Sequence, residues 1–396
     1  MRNITDIFIV WLEEMKMILK DEGVILFFFF LPVAYPLLYS WIYNNEVVRE
    51  VPVVVVDDSH SALSREFARK FDASPDVSVA YHSKNMAEAQ SLIGHGKAYG
   101  ILYFPNDFEK KAGRHEQAHV GVYCDMSYML TYKAIFQSAT AVSGDMGKEI
   151  QTHLAGHFTD REEEIASKPL DFEDVPIFNT TGGYGNFILP GVLVLIIQQA
   201  MALGVGMISG TRREQRRARE KLKQKGEAEG LPSIPHHGTI ATLLGQSLTY
   251  LLIFAVMLAW ITLIVPKMFG FVSMVHGKDL LLFFTPYLLA CVFLAISLSP
   301  LIRYRESVIL VVVFTSVPLL FLAGVSWPQS AIPGVWQGVS WMFPSTFAIR
   351  GFIRMSSMGA LLDDVRTEYI VLWIQTLVYF GTAMLVTHIR VRKDNS

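Results

Sequence analysis

The sequence predicts an α-helical polytopic membrane protein with six transmembrane helices and an extracytoplasmic α/β domain inserted after the first. Three observations predict it. Apolar residues make up 52% of the 396 residues and charged residues only 18%, below the roughly 25% of an ordinary soluble domain. Residues 23–45, 175–211, 230–266, 280–302, 307–349 and 369–389 contain no Asp, Glu, Lys or Arg. A charge at the bilayer centre costs about 2.5–3.5 kcal/mol on insertion scales, so runs this long exclude a soluble globular protein. Segment 46–178 instead alternates strand and helix signals and is acidic, with 13 bases against 21 acids.

The first 22 residues precede the first span. Ile7, Trp11, Met15, Ile18 and Leu19 make one helical stripe, with Glu13, Glu14, Lys16 and Lys20 largely off it. The pattern reads as a helix lying in the membrane interface, with a plain extension of the first span as the alternative. Val24–Tyr43 is longer than the roughly 7–15 apolar residues of a cleaved signal and ends in Tyr39-Ser40-Trp41-Ile42-Tyr43, so residues 23–45 are read as a membrane anchor. Since a span takes about 20 apolar residues, residues 186–396 hold five more, at roughly 187–208, 241–265, 280–302, 307–325 and 369–388.

Orientation follows from the bases. Loop 211–240 carries Arg212, Arg213, Arg216, Arg217, Arg219, Lys221, Lys223 and Lys225. The turn Arg303–Glu306 adds two bases, and the tail adds Arg390, Arg392 and Lys393. The positive-inside rule places all three on the cytoplasmic side, with both termini inside and segment 46–178 outside. In that segment, strands are expected at Val51–Val56, Val77–Tyr81, Tyr99–Phe104 and Val120–Cys124. Helices are expected through Leu63, Phe67 and Phe71, through Met86, Ala89 and Ile93, and from Tyr128 past Ile150. Asn85 with Glu88 resembles a capping box.

Run 307–349 is too long for one span and holds Gly324, Trp327, Pro328, Pro333, Gly334, Trp336, Trp341 and Pro344. Pro and Gly at this density break helices, and broken backbone at membrane depth is tolerated only inside protein or beside water. A re-entrant pair of half-helices over 326–345 is therefore expected at the outer face, with an ordinary hydrophobic outer loop as the alternative. Trp327, Trp336 and Trp341 are expected at interfacial depth, and Ser330, Gln337 and Ser345 within reach of an external reagent.

Few motifs carry chemistry. His115-Glu116-Gln117-Ala118-His119 satisfies H-E-x-x-H, the zinc-protease pattern, and needs both histidines on one helical face. His153 and His157 could add ligands. Gly113 before the motif and the β run after it point instead to a solvated turn. Gly206-Met207-Ile208-Ser209-Gly210 reads as small-residue packing. No G-x-x-x-x-G-K-[ST] occurs, so any ATP used must be burned by another chain. Cys124 and Cys291 are too few for a disulfide framework. Thr211–Arg217 is either a solvated basic stretch or a docking surface for a motor.

Together these residues resemble the permease subunit of a type-2 ABC exporter, over nearly the whole chain. The interfacial helix, the span, the large insert and the five later spans carry the likeness. So do Pro190-Gly191, Leu244-Gly245-Gln246, Gly324-x-x-Trp327-Pro328-x4-Pro333-Gly334 and Pro344-x-Thr346-x-Ala348-Ile349-x-Gly351. Val53–Asp57 with Ser61–Phe71, and Gly100–Pro105 with Phe108, are similar to the insert of Gram-negative drug-efflux members. The resemblance implies a bacterial inner-membrane exporter of hydrophobic or amphipathic molecules, itself without a catalytic site, metal or bound cofactor. It implies a dimer with a second copy or homologous permease, two cytoplasmic ABC ATPases holding ATP and Mg, contact with membrane lipid, and a periplasmic adaptor in efflux members. Nucleic acid has no part. The ATPase would couple through Arg212, Arg213, Glu214, Arg216 and Arg217 with Glu13 and Lys16; the gate would be Gly324, Trp327, Pro328, Pro333, Gly334 and Pro344. The family's Arg-Glu is usually followed closely by Gly-Thr, whereas here a basic tract follows to Lys225. Two other readings are a membrane-anchored receptor or adaptor-binding protein without transport, and a membrane zinc protease through His115, Glu116 and His119.

Overall fold

The computed structural model describes residues 2–44, 47–114, 116–155, 178–179, 183–224, 238–302 and 304–395. His115, His157, Lys225, Arg303 and the 225–237 part of the expected loop lie outside them. The chain divides into two compact units, Met1–Glu46 with Ile177–Ser396, and Val47–Pro176. Helix α1 (Arg2–Lys20) is followed by Asp21, whose carboxylate accepts the N–H groups of Gly23 at 3.1 Å and Val24 at 3.2 Å. That cap opens α2 (Glu22–Ile42), which carries one π-helical turn at Leu26–Phe30.

The second unit is a four-stranded sheet in the order β2-β1-β3-β4, from β1 (Val51–Asp57), β2 (Val77–Ser83), β3 (Gly100–Phe104) and β4 (Gly121–Cys124). β1 runs parallel to β2 and β3, and β4 is antiparallel to β3. β1 is Val-rich because both its faces are covered. Val51, Val53 and Val55 meet Phe67 and Phe71 of α3 (Ala62–Asp72) and Ile135 of α6 (Met129–Ala155). Val54 and Val56 cluster with Ala89 of α4 (Met86–Gly94); α5 spans Phe108–Gly113. The expected capping box is half made. Asn85 accepts the Glu88 N–H at 2.8 Å, but Glu88 turns to the Ser83 hydroxyl at 2.9 Å and the Lys84 N–H at 3.1 Å.

The first unit resumes with α7 (Tyr184–Gln224), α8 (Thr239–Phe269), α9 (Gly277–Leu298), α10 (Ser307–Leu322), α11 (Gly334–Ser340), α12 (Pro344–Met358) and α13 (Arg366–Asn395). Among the described residues five helices are long and apolar enough to cross a membrane: α2, α7, α8, α9 and α13. The expected span 307–325 is the 16-residue α10, about 24 Å long at ~1.5 Å per residue against ~30 Å of hydrocarbon. The loop expected from residue 211 begins later, because α7 runs unbroken to Gln224. Between Thr211 and Gln224 there is no Gly or Pro, Arg, Lys, Glu and Gln are good helix formers, and Arg216 pairs with Glu220 one turn on at 3.0 Å.

Glycines set the closest approaches in this unit. A Cβ on Gly204 would lie 1.7 Å from the Phe28 ring, and one on Gly206 2.7 Å from Val308. Bare backbone in α7 thus seats α2 and α10 against it, as small residues do between membrane helices.

Candidate functional site

The basic ends of α7 and α13 meet α1, α8 and the turn between α9 and α10. Helix α1 buries Val10, Glu14 and Ile18, four residues apart. The stripe expected around Trp11 and Met15 is therefore rotated by about one position, which carries Glu14 inward to 1% exposure and leaves Glu13 and Lys16 exposed. Gly245 of α8 allows this contact, since a Cβ there would stand 2.8 Å from the Ile7 carbonyl oxygen and 2.7 Å from Val10. The Thr249 hydroxyl adds a bond to the Trp11 carbonyl at 3.4 Å.

A carboxylate buried this far is tolerated only when ion-paired and hydrogen-bonded. Glu14 accepts from the Arg212 guanidinium of α7 and from the Tyr250 hydroxyl of α8. The Gln246 amide donates to it at 3.3 Å, and the carbonyl of that amide accepts from Arg390 of α13 at 2.8 Å. Three helices thus meet at one carboxylate, and Gln246 links a fourth to it.

A second knot lies beside it. Arg305 pairs with Asp21 and reaches the Thr211 hydroxyl at 3.4 Å, while Gly210 leaves room for the Arg305 backbone. Arg213 donates to the carbonyls of Ile302 at 2.6 Å and Pro300 at 2.9 Å, just past the C-terminus of α9, where cations are favoured. The Arg217 guanidinium stands 5.7 Å from the Tyr304 ring centre.

The residues expected to meet a motor therefore divide. Arg212, Arg213 and Arg217 engage this chain's own elements, and Arg216 pairs along its helix. Glu214 is exposed on α7. Glu14, Asp21, Gln246, Tyr250, Arg305 and Arg390 were not anticipated. The available signal was the 10–14–18 spacing in α1, which puts Glu14 on an apolar stripe, and Gln246 within an apolar run.

The segment after α10 forms a helical hairpin. Gly324, at φ +88°, turns the chain out of α10, a conformation that suits glycine. Pro328 precedes the 3₁₀ turn Gln329–Ala331, Pro333 caps α11 just ahead of Gly334, and Pro344 opens α12. The Gln337 amide closes the loop on the carbonyls of Gln329 at 3.1 Å and Ile332 at 2.8 Å. The expected segment ended at 345, but the second helix continues to Met358, through Gly351, whose bare backbone lies against the Phe283 ring, and stops at Gly359 with φ +65°.

The hairpin's tip is level with the middles of two spans. The Ser345 N–H donates to Gln198 of α7 at 2.8 Å, and Gln375 of α13 donates to the Trp341 carbonyl at 2.7 Å. Tyr379 of α13 reaches the Met342 carbonyl. Gln375 stands nine residues into α13, about 14 Å from its start. Trp341 therefore sits deeper than the interfacial position expected, and Ser345 is fully buried rather than open to an outside reagent. Trp327, Trp336 and Trp341 are all exposed in this chain. Arg350 of α12 donates to the Ala323 carbonyl at 3.3 Å and tethers the hairpin to the end of α10.

Of the zinc-protease pattern, the described residues Glu116–His119 do not sit on a helix. Residues Glu116–Val120 have no regular structure and lead into β4, so His119 lacks the helical face the motif needs. Among the described residues no group of three or more His, Cys, Asp or Glu could hold a metal.

None of the curated proteins matches this chain. The family model described as ABC-2 family transporter protein matches residues 23–385. With apolar spans tied at one basic end and no nucleotide-binding loop in the sequence, the chain belongs to the ABC-2 transporter family, as a membrane permease component.

Proposed function

We propose that this chain is the permease half of an ATP-driven exporter in a bacterial inner membrane, moving a hydrophobic or amphipathic molecule outward. ATP and Mg sit on a cytoplasmic ABC ATPase. The membrane part acts as a dimer with a second copy or a homologous permease, and segment 46–178 faces outward, open to a periplasmic adaptor. The short α10 counts as the sixth span, a mismatch the bilayer meets by thinning at modest cost, which puts both termini inside.

The observation that supports this reading most is the continuity of α7. Past Thr211 it extends by 13 residues to Gln224, about 20 Å at ~1.5 Å per residue. The end of that extension is where a motor can push, and the push travels along an unbroken helix to Gln198 and the hairpin tip. Glu214 is the exposed acidic position at the base of the lever. Charge reversal there, Glu214→Lys, leaves the fold intact, since exposed substitutions usually fall within about ±0.5 kcal/mol. It should lower the amount of ATPase that copurifies by at least tenfold. Undiminished copurification would count against the docking face.

A further inference from the structure

We propose that Glu14 is a coupling clamp, a buried carboxylate that makes α1, α7, α8 and α13 move as one body at their basic ends. The proposal rests on the reading above, in which α7 receives the motor's push. Glu14 is 1% exposed, so little solvent screens its interactions, and a buried charge holds its partners far more firmly than a surface pair. Its donors come from separate elements: the Arg212 guanidinium from α7, and the Tyr250 hydroxyl and Gln246 amide from α8. Gln246 passes the link on, because its carbonyl accepts from Arg390 of α13 at 2.8 Å. The two bonds fix the amide's orientation, so the chain Glu14–Gln246–Arg390 has one direction.

Backbone contact reinforces the clamp. The bare Gly245 surface presses on Ile7 and Val10 of α1, and Thr249 holds the Trp11 carbonyl. Arg212 lies one position before Arg213, which grips the end of α9. Two adjacent arginines at the base of the α7 lever thus face different partners, one toward α1 and one toward the α9–α10 turn. A tilt of α7 therefore acts on both contacts.

Glutamine fills the volume of glutamate but adds donors where Arg212 and Tyr250 already donate. Aspartate keeps the charge and loses a methylene. A packing role predicts that Gln is tolerated and Asp is worse; the clamp predicts the reverse. The test uses the full chain in nanodiscs, alone and with its ATPase trapped by ATP and vanadate, read by amide hydrogen exchange. Glu14→Gln should speed exchange in residues 4–20 at least tenfold at rest, with Glu14→Asp closer to wild type. In the wild type, trapping should change exchange in α7, α1 and the last turns of α13 together; in Glu14→Gln the change should be confined to α7. Gln behaving as wild type, Asp worse than Gln, or an unchanged response in α1 would overturn the clamp. If trapping changes nothing in wild-type α7, the motor reading fails, and resting exchange in residues 4–20 still decides the clamp.

Discussion

The substitution Gly204→Ala is a sharp test of how the spans meet. An added Cβ would lie 1.7 Å from one ring carbon of Phe28 and 2.2 Å from the next, where carbon contacts settle at about 3.5–4.0 Å. The ring must therefore retreat by about 2 Å. It has no room, being fully buried, with ring centres of Phe254 at 5.0 Å and Tyr250 at 5.8 Å. Overpacking of this kind costs about 1–3 kcal/mol. At roughly 2–4 °C per kcal/mol for a unit of this size, the melting temperature should fall by about 2–12 °C. The assay is thermal unfolding in detergent micelles, read by tryptophan fluorescence. Phe28→Leu in the same chain should recover part of the loss, with a coupling of about 0.5–3 kcal/mol between the two positions. Gly381→Ala in α13 is the control, since nothing lies within 4 Å of its added Cβ, and it should melt with the wild type or slightly above. A Gly204→Ala protein that melts with the wild type would refute this packing of α2 on α7.

Two further results are expected. With Cys124 replaced by Ser, Ser330→Cys should react with an impermeant maleimide added outside, while Ser345→Cys, fully buried against Gln198, should react from neither side; equal rates would remove the hairpin tip from mid-span depth. In the second unit, the Ser83 hydroxyl and then the Lys84 N–H hold the Glu88 carboxyl below the usual glutamate range. Its contribution is present above the unfolded value of about 4.3 and is lost as pH falls through the lower folded value. Amide protection at Lys84 should accordingly fall in acid, and Glu88→Gln should flatten that limb; an unchanged profile would contradict the bond.

The sheet and most helices were legible because short-range periodicity governs them. Val51–Val56 reads as a β-branched strand, and Leu63, Phe67 and Phe71 as a helical stripe, and both elements form. The register of α1 was harder. A stripe drawn through Trp11 and Met15 and one drawn through Val10, Glu14 and Ile18 differ by about 100°, and only the contact with Gly245 chooses between them. The basic tract read as a loop because it is charged, yet charged residues extend a helix well when no breaker intervenes. The hairpin was legible from Pro328, Pro333 and Pro344. Its depth was not, because that is set by bonds from Gln198 and Gln375 to residues 147 and 34 positions away. The split of Arg212, Arg213 and Glu214 into two inward partners and one exposed residue depends on the same long-range contacts.

In the proposed mechanism a partner ATPase engages this permease at the extension of α7. A photo-reactive amino acid placed singly at Glu214, at Lys221 and at Glu66 of the sheet-containing unit tests this in cells. Ultraviolet-dependent adducts with an ATP-binding protein are expected from positions 214 and 221, and none from position 66. No adduct from 214 or 221, or an equal yield from 66, would contradict it.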